Sequence, residues 1–155
     1  MKFLLFIFAF ALVTNSCTTA KNTVPSDIVS IKHGTSYGHC LGYCTKEELY
    51  ASGSMVYTQR SREENKPEKI RTEPFSEQAF QKLTTSFDRQ KWNALPETIG
   101  CPDCADGGAE YIEILTTSGV KRVTFEAGSD PEGLENILAQ FRAKRLGLEQ
   151  AEPGQ

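Results

Sequence analysis

The sequence predicts an α+β domain: an antiparallel sheet built from two hairpins, each followed by a helix, in the order strands, helix, strands, helix. Two observations carry that expectation. Stretches rich in β-branched and aromatic residues flank Ser52-Gly53-Ser54 and Ser118-Gly119, where glycine supplies the backbone freedom a tight hairpin turn needs. Apolar residues then recur at helical spacing twice, as Ala79, Phe80, Leu83 and Phe87, and as Leu134, Ile137, Leu138 and Phe141. Hairpins and helices kept apart along a chain pack as helices on one face of an antiparallel sheet.

Taken in order, residues 27–33 are a short strand carrying Ile28, Val29 and Ile31, and the Gly-rich segment 33–44 after it reads as loop. Residues 45–51 and 55–59 form the first hairpin. Residues 60–72 are dense in charge, hold Pro67 and lack a periodic apolar face, so a solvated loop is expected there. The first helix starts at Ser76, whose hydroxyl can cap exposed amides while Phe75 and Phe80 form a hydrophobic staple. Trp92 and Leu95 follow as that helix closes ahead of Pro96. Residues 110–117 and 120–126 make the second hairpin, with Ile112 and Ile114 set to meet Val123 and Phe125. The last helix is opened by Asp130-Pro131, a capping residue and the proline that suits a first helical position, and Gly147 is expected to end it. The two halves share this order without residue-level similarity.

The chain has 155 residues, a net charge of −3 and 24% charged residues. That balance excludes a collagen, a coiled coil, a polytopic membrane protein and a strongly basic nucleic-acid binder, so no nucleic-acid partner is expected. Residues 3–13 are an unbroken apolar run behind Lys2, too short for a spanning helix, which needs about 20 apolar residues. They read as a signal peptide over residues 1–16. Polar residues 17–25 then make a tether, residues 26–148 the single domain, and residues 149–155 a flexible tail.

Four cysteines fall in two close pairs, Cys40 with Cys44 and Cys101 with Cys104. In an oxidising compartment such pairs are disulfides, and a bridge between the pairs would stabilise by roughly 4 kcal/mol through the loop of about 60 residues it closes. Four thiolates also satisfy tetrahedral zinc, so the same residues are metal candidates. Cys101-Pro102-Asp103-Cys104 has the spacing of a redox motif, although a strand pattern follows it where thiol oxidoreductases place a helix. His33 and His39 are read as exposed loop histidines, with a His/Cys metal site beside Cys40 as the alternative. Asp103, Asp106, Glu110 and Glu113 are read as a turn and the wet face of a strand, with an acidic cation site as the alternative. No nucleophile elbow, Walker loop, zinc-protease or Rossmann pattern is present, so no cofactor and no catalytic residue is expected.

The block Leu12-Val13-Thr14-Asn15-Ser16-Cys17 resembles the lipobox of bacterial lipoproteins, with Thr14 where leucine is usual and the small Ser16 in place. That resemblance implies cleavage before Cys17 and acylation of its thiol, making membrane lipid the first partner; plain secretion to the periplasm, with cleavage after Ala20, is the alternative. Together with Cys40-Leu41-Gly42-Tyr43-Cys44 and Gly100-Cys101-Pro102-Asp103-Cys104-Ala105-Asp106-Gly107-Gly108, it resembles small exported lipoproteins of Bacteroidota that have no assigned activity. The resemblance implies a cell-envelope address, at the periplasmic face of the outer membrane, and transfers no catalytic residue. The function expected is a non-catalytic binding or structural module that meets another envelope protein; a thiol-disulfide oxidoreductase or a metal-binding protein is the alternative.

Overall fold

The computed structural model describes residues 26–151, so the signal peptide, Cys17 and the tether up to residue 25 lie outside the described residues. Seven strands form one sheet: β1 (Ile28–Ser36), β2 (Tyr43–Ala51), β3 (Gly53–Ser61), β4 (Lys69–Phe75), β5 (Thr98–Ile99), β6 (Ala109–Thr116) and β7 (Gly119–Glu126). Their order across the sheet is β4-β3-β2-β1-β6-β7-β5. Helices α1 (Glu77–Thr85) and α2 (Arg89–Ala94) follow β4, and α3 (Glu135–Gln150) closes the chain.

The domain is α+β, but the expected architecture of two hairpins in strands-helix-strands-helix order is corrected by this sheet. Strand β1 pairs antiparallel with β2 on one side and with β6 on the other, so the two hairpins join into one surface across a central strand. The sheet is mixed, because the two-residue β5 runs parallel to β7. The segment expected as a charged loop contributes β4, an edge strand whose alternating Lys69, Arg71 and Glu73 supply charge without breaking the ladder. The loop expected over 33–44 shrinks because β1 continues to Ser36: Gly34 sits opposite Tyr111, whose ring lies across the space a Cβ would fill.

Period two decides the two faces. Ile31, His33, Tyr50, Met55, Tyr57, Ile112, Ile114, Val123 and Phe125 point to one side and are buried. Onto them pack Phe80 and Leu83 of α1, Trp92 of α2 and Ile137, Leu138 and Phe141 of α3, forming one core. Ser76 caps α1 by accepting from the Ala79 amide at 3.2 Å. Asp88 then interrupts the expected single helix by capping α2, so Phe87 lies in the link and meets Trp92 edge-on. Lys121 terminates α2, donating to the carbonyls of Trp92, Asn93 and Leu95 at 2.7–2.9 Å.

The limits of α3 also differ from expectation. Asp130-Pro131 lies ahead of a turn at residues 132–134, the helix starts after Leu134 with no side-chain cap, and Asp130 instead accepts from Arg142. Gly147 does not stop the helix, since Leu148 beyond it is buried and Glu149 accepts from Lys46 at 2.7 Å and from Tyr57 at 3.2 Å. The tail expected over 149–155 is therefore corrected at Glu149 and Gln150, which are helical, and residues 152–155 lie outside the described residues. No described helix is long and apolar enough to cross a membrane.

Candidate functional site

Two groupings hold the chemistry-bearing residues. One lies between β1, β2, β6 and α3. His33 is fully buried, which corrects its reading as an exposed loop histidine: the alternation Ile31, His33, Thr35 sets it on the inner face. Glu48 of β2 and Glu110 of β6 flank it, and Glu110 is buried rather than on the wet face because it alternates with Ile112 and Ile114. The His33 ring stacks on Phe141 with centroids 4.8 Å apart.

Both ring nitrogens meet carboxylates, Nδ1 with Glu48 at 2.8 Å and Nε2 with Glu110 at 2.7 Å. Arg145 donates through its Nε and through Nη2, the latter at 2.7 Å, to the two Glu48 oxygens, and through Nη1 to Thr35 at 2.7 Å. Arg142 grips Glu110 with two donors at 3.0 and 2.8 Å, and the Gly128 amide adds a third at 3.0 Å. Burial pushes Glu110 up, but hydrogen bonds from His33, Arg142 and Gly128 outweigh it and hold the carboxyl at about 2. Burial likewise raises Glu48, and donation from Arg145 and His33 brings it below the usual carboxylate range. His33 Nδ1 also lies 3.0 Å from Arg145 Nη2, so the ring nitrogen has a donor and an acceptor within reach.

Such a cluster has the residue types of general acid-base chemistry, but an acid or base must reach its substrate. His33 and Glu48 side chains are 0% exposed and Glu110 is 2% exposed, and every charge meets a partner inside the fold. The arrangement fastens α3 to three strands at once.

The second grouping is the end of the sheet where the cysteines lie. Ser36 pairs with Ala109 and also with Thr45, which brings the β1–β2 loop beside the loop entering β6. Cys40 and Cys44 are at disulfide distance within the first loop, with Cα atoms 5.7 Å apart; Cys101 and Cys104 are at disulfide distance within the second, at 5.5 Å. Of the three connectivities open to four cysteines, the pairing is thus the local one, two short rings that each contribute about 2 kcal/mol in the chain-entropy model. The two loops touch through Gly38 N–H to Asp103 at 3.2 Å and His39 to Asp106 at 2.6 Å. Asp103, Ala105 and Asp106 adopt positive φ, and only a three-residue 3-10 turn, Cys104–Asp106, follows Cys101 before β6. No α-helix begins at Cys101 to lower a thiol's pKa through its dipole.

His39 is exposed, as the sequence suggested, while Glu113 lies on the open face with Lys32 and Arg122. Among the described residues, no three His, Cys, Asp or Glu side chains are grouped to hold a metal ion. The sequence reading missed Arg142 and Arg145, although Phe141 and Arg145 stand one helical turn apart on the face already assigned to the core. No protein-family model matches the chain, and no curated protein matches it.

Proposed function

We propose that the chain is a lipid-anchored module of the bacterial cell envelope, acylated at Cys17 and held at the periplasmic face of the outer membrane, that binds or braces another envelope component without catalysis. The observation that carries this reading is how the reactive residues are used. The histidine and carboxylates suited to proton transfer are sealed under α3, and the four cysteines of the domain lie in two pairs at disulfide distance. Local disulfides at an exposed loop end fit an oxidising compartment, and the apolar run before Cys17 supports the route there.

Growth with an alkyne-tagged palmitate and mass spectrometry of the purified chain under non-reducing conditions test both halves. Label on the wild type that is lost in Cys17→Ser, with no alkylatable thiol at Cys40, Cys44, Cys101 or Cys104, is the expected result. An unlabelled wild type would remove the anchor, and four free thiols would remove the braced domain.

One observation favours a second reading, thiol-disulfide exchange at Cys101 and Cys104: both are exposed and face the loop that holds the other pair. Insulin reduction abolished by Cys101→Ser supports it. Turnover that survives Cys101→Ser overturns it.

A further inference from the structure

At the end of the sheet where the chain enters, one row of side chains crosses the open face from β4 to β7: Pro74, Ser54, Ala51, Ser30, Leu115 and Val120, each opposite the next in register. Period two puts the row on one side of the sheet, and none of its members is charged. The turns that close this end, at Ser52 and at Thr117-Ser118, are uncharged as well. Ion pairs instead gather at the opposite end, as Lys46 with Glu149, Arg60 with Glu68 and His39 with Asp106.

Three aliphatic side chains adjoin in register at the uncharged end and stand in solvent. Leu115 faces Val120 across the β6–β7 hairpin, and Val29 is the extra residue where β1 shifts register against β6, next to the Ser30 that pairs with Leu115. Val29 is 49% exposed, Leu115 40% and Val120 62%. Single exposed aliphatics are ordinary on a folded surface, whereas three together form a patch. The same corner receives the polypeptide. The Asp27 carbonyl accepts from the Thr117 amide at 2.9 Å, and the Asp27 carboxylate accepts from Arg89 at 2.9 and 3.0 Å, so the entering chain is fastened to the β6–β7 turn. Residues 17–25 precede it, a length that reaches at most about 30 Å when fully extended.

We propose that the Val29, Leu115 and Val120 corner rests on the lipid bilayer that carries the anchor, with its aliphatic side chains entering the boundary between headgroups and acyl chains. The proposal deepens the reading of the chain as a lipid-anchored module and rests on acylation of Cys17. Three part-exposed side chains offer far less than the roughly 800 Å² per partner that a stable protein interface buries. A bilayer needs no such area, because the anchor and its short tether hold the corner at high effective concentration, where a weak contact is occupied. With the uncharged corner on the lipid, the end that carries both cysteine loops points away from the membrane, towards the component the module meets.

The test uses the full-length chain, purified from membranes in detergent and returned to vesicles of phosphatidylethanolamine and phosphatidylglycerol, with and without phosphatidylcholine brominated in the upper acyl chain. Tryptophan emission is read in Val120→Trp and in Leu41→Trp, a fully exposed position in the Cys40–Cys44 loop, with the buried native Trp92 as common background. Bromolipid is expected to quench Val120→Trp at least about twice as strongly as Leu41→Trp, because side chains at the headgroup boundary lie among the bromines. Adding Val29→Asn and Leu115→Asn is expected to bring Val120→Trp down towards Leu41→Trp, and quenching that these substitutions leave intact overturns the proposal. Melting temperatures equal to that of the wild type show that the fold is kept; if Val120→Trp melts early, Val29→Trp takes its place in the same comparison. Flotation with the vesicles reports the anchor separately. Protein that floats but is quenched equally at both positions overturns the contact and leaves the anchor standing, whereas protein that does not float removes anchor and contact together. A blue-shifted Val120→Trp emission without bromolipid quenching places a second protein molecule over the corner and also overturns the proposal.

Discussion

The two faces of β1 carry ionic networks of opposite character only one residue apart. On the inner face His33 meets Glu48 and Glu110, closed over by Arg142 and Arg145. On the open face Lys32 and Arg122 meet Glu113, the Arg122 guanidinium lies 4.2 Å from the Tyr111 ring centroid, and Tyr111 donates to Glu47, which Arg60 also binds. Both chains of contacts are nearly continuous across the sheet. The difference is water: one set of charges must be matched within the protein, and the other is matched by solvent whether or not its partners stay.

Breaking the inner network has the largest expected effect. Arg145→Leu leaves Glu48 as a buried carboxylate with one partner gone, and a cost of about 3 to 5 kcal/mol is expected in urea unfolding. The double variant Glu48→Leu with Arg145→Leu removes both charges, and recovery of at least half the loss is expected from the same measurement. A double variant as unstable as the single one would mean that packing around Arg145, not charge pairing, holds α3.

Acid comes next. Glu110 is held at about 2 against an ordinary 4.5, so its contribution is complete above about 4.5 and is lost as pH falls towards 2. Stability measured by urea at pH 6, 4 and 2.5 is expected to drop by about 2 kcal/mol more in the wild type than in Glu110→Gln, after allowing for solvent screening. Parallel curves for the two proteins would show that this carboxyl is not the one being titrated.

Much of this contrast was legible in the chain, and the part that was not has a definite cause. The second hairpin and the core positions Ile112, Ile114, Val123 and Phe125 follow from alternation alone. The same alternation also set Glu110 and His33 on the inner face, but a polar residue at a buried position is rejected until its partner is known. That partner, Arg145, is 112 positions from His33, and Arg142 is 32 from Glu110. Strand β4 was hidden for a related reason: an edge strand needs no apolar alternation, so its charge resembled a loop. The local cysteine pairing was open because four cysteines allow several connectivities, and only the register of Ser36 against Ala109 brings the two loops together while keeping each pair to itself.

On the open face the sharpest effect is steric. Gly34→Ala places a methyl inside the Tyr111 ring, which must turn away and release both Glu47 and Arg122. A loss of about 1 to 2 kcal/mol is expected, with part of it restored in Gly34→Ala combined with Tyr111→Ala. Equal stability of Gly34→Ala and wild type would mean the ring already has room.

The smallest effect is expected where the contrast is purest. Glu113 sits at the centre of the open-face network as His33 does in the inner one, accepting from Arg122 at 2.6 and 2.9 Å and facing Lys32 at 3.4 Å. Its carboxyl is 21% exposed and the Arg122 side chain 47% exposed, so water replaces a lost contact at once. Burial raises Glu113, and Arg122 and Lys32 bring it below the ordinary value, so what it contributes is lost only on acidification. Glu113→Gln is therefore expected to cost about 0.5 kcal/mol at neutral pH, falling towards zero when salt is raised to about 1 M, where charges are screened within about 3 Å. The same salt series on Arg145→Leu is expected to leave its deficit unchanged, because ions do not enter the layer between α3 and the sheet. If the two deficits instead shrink together, the inner network is wetted, and the distinction between the two faces of β1 is one of degree.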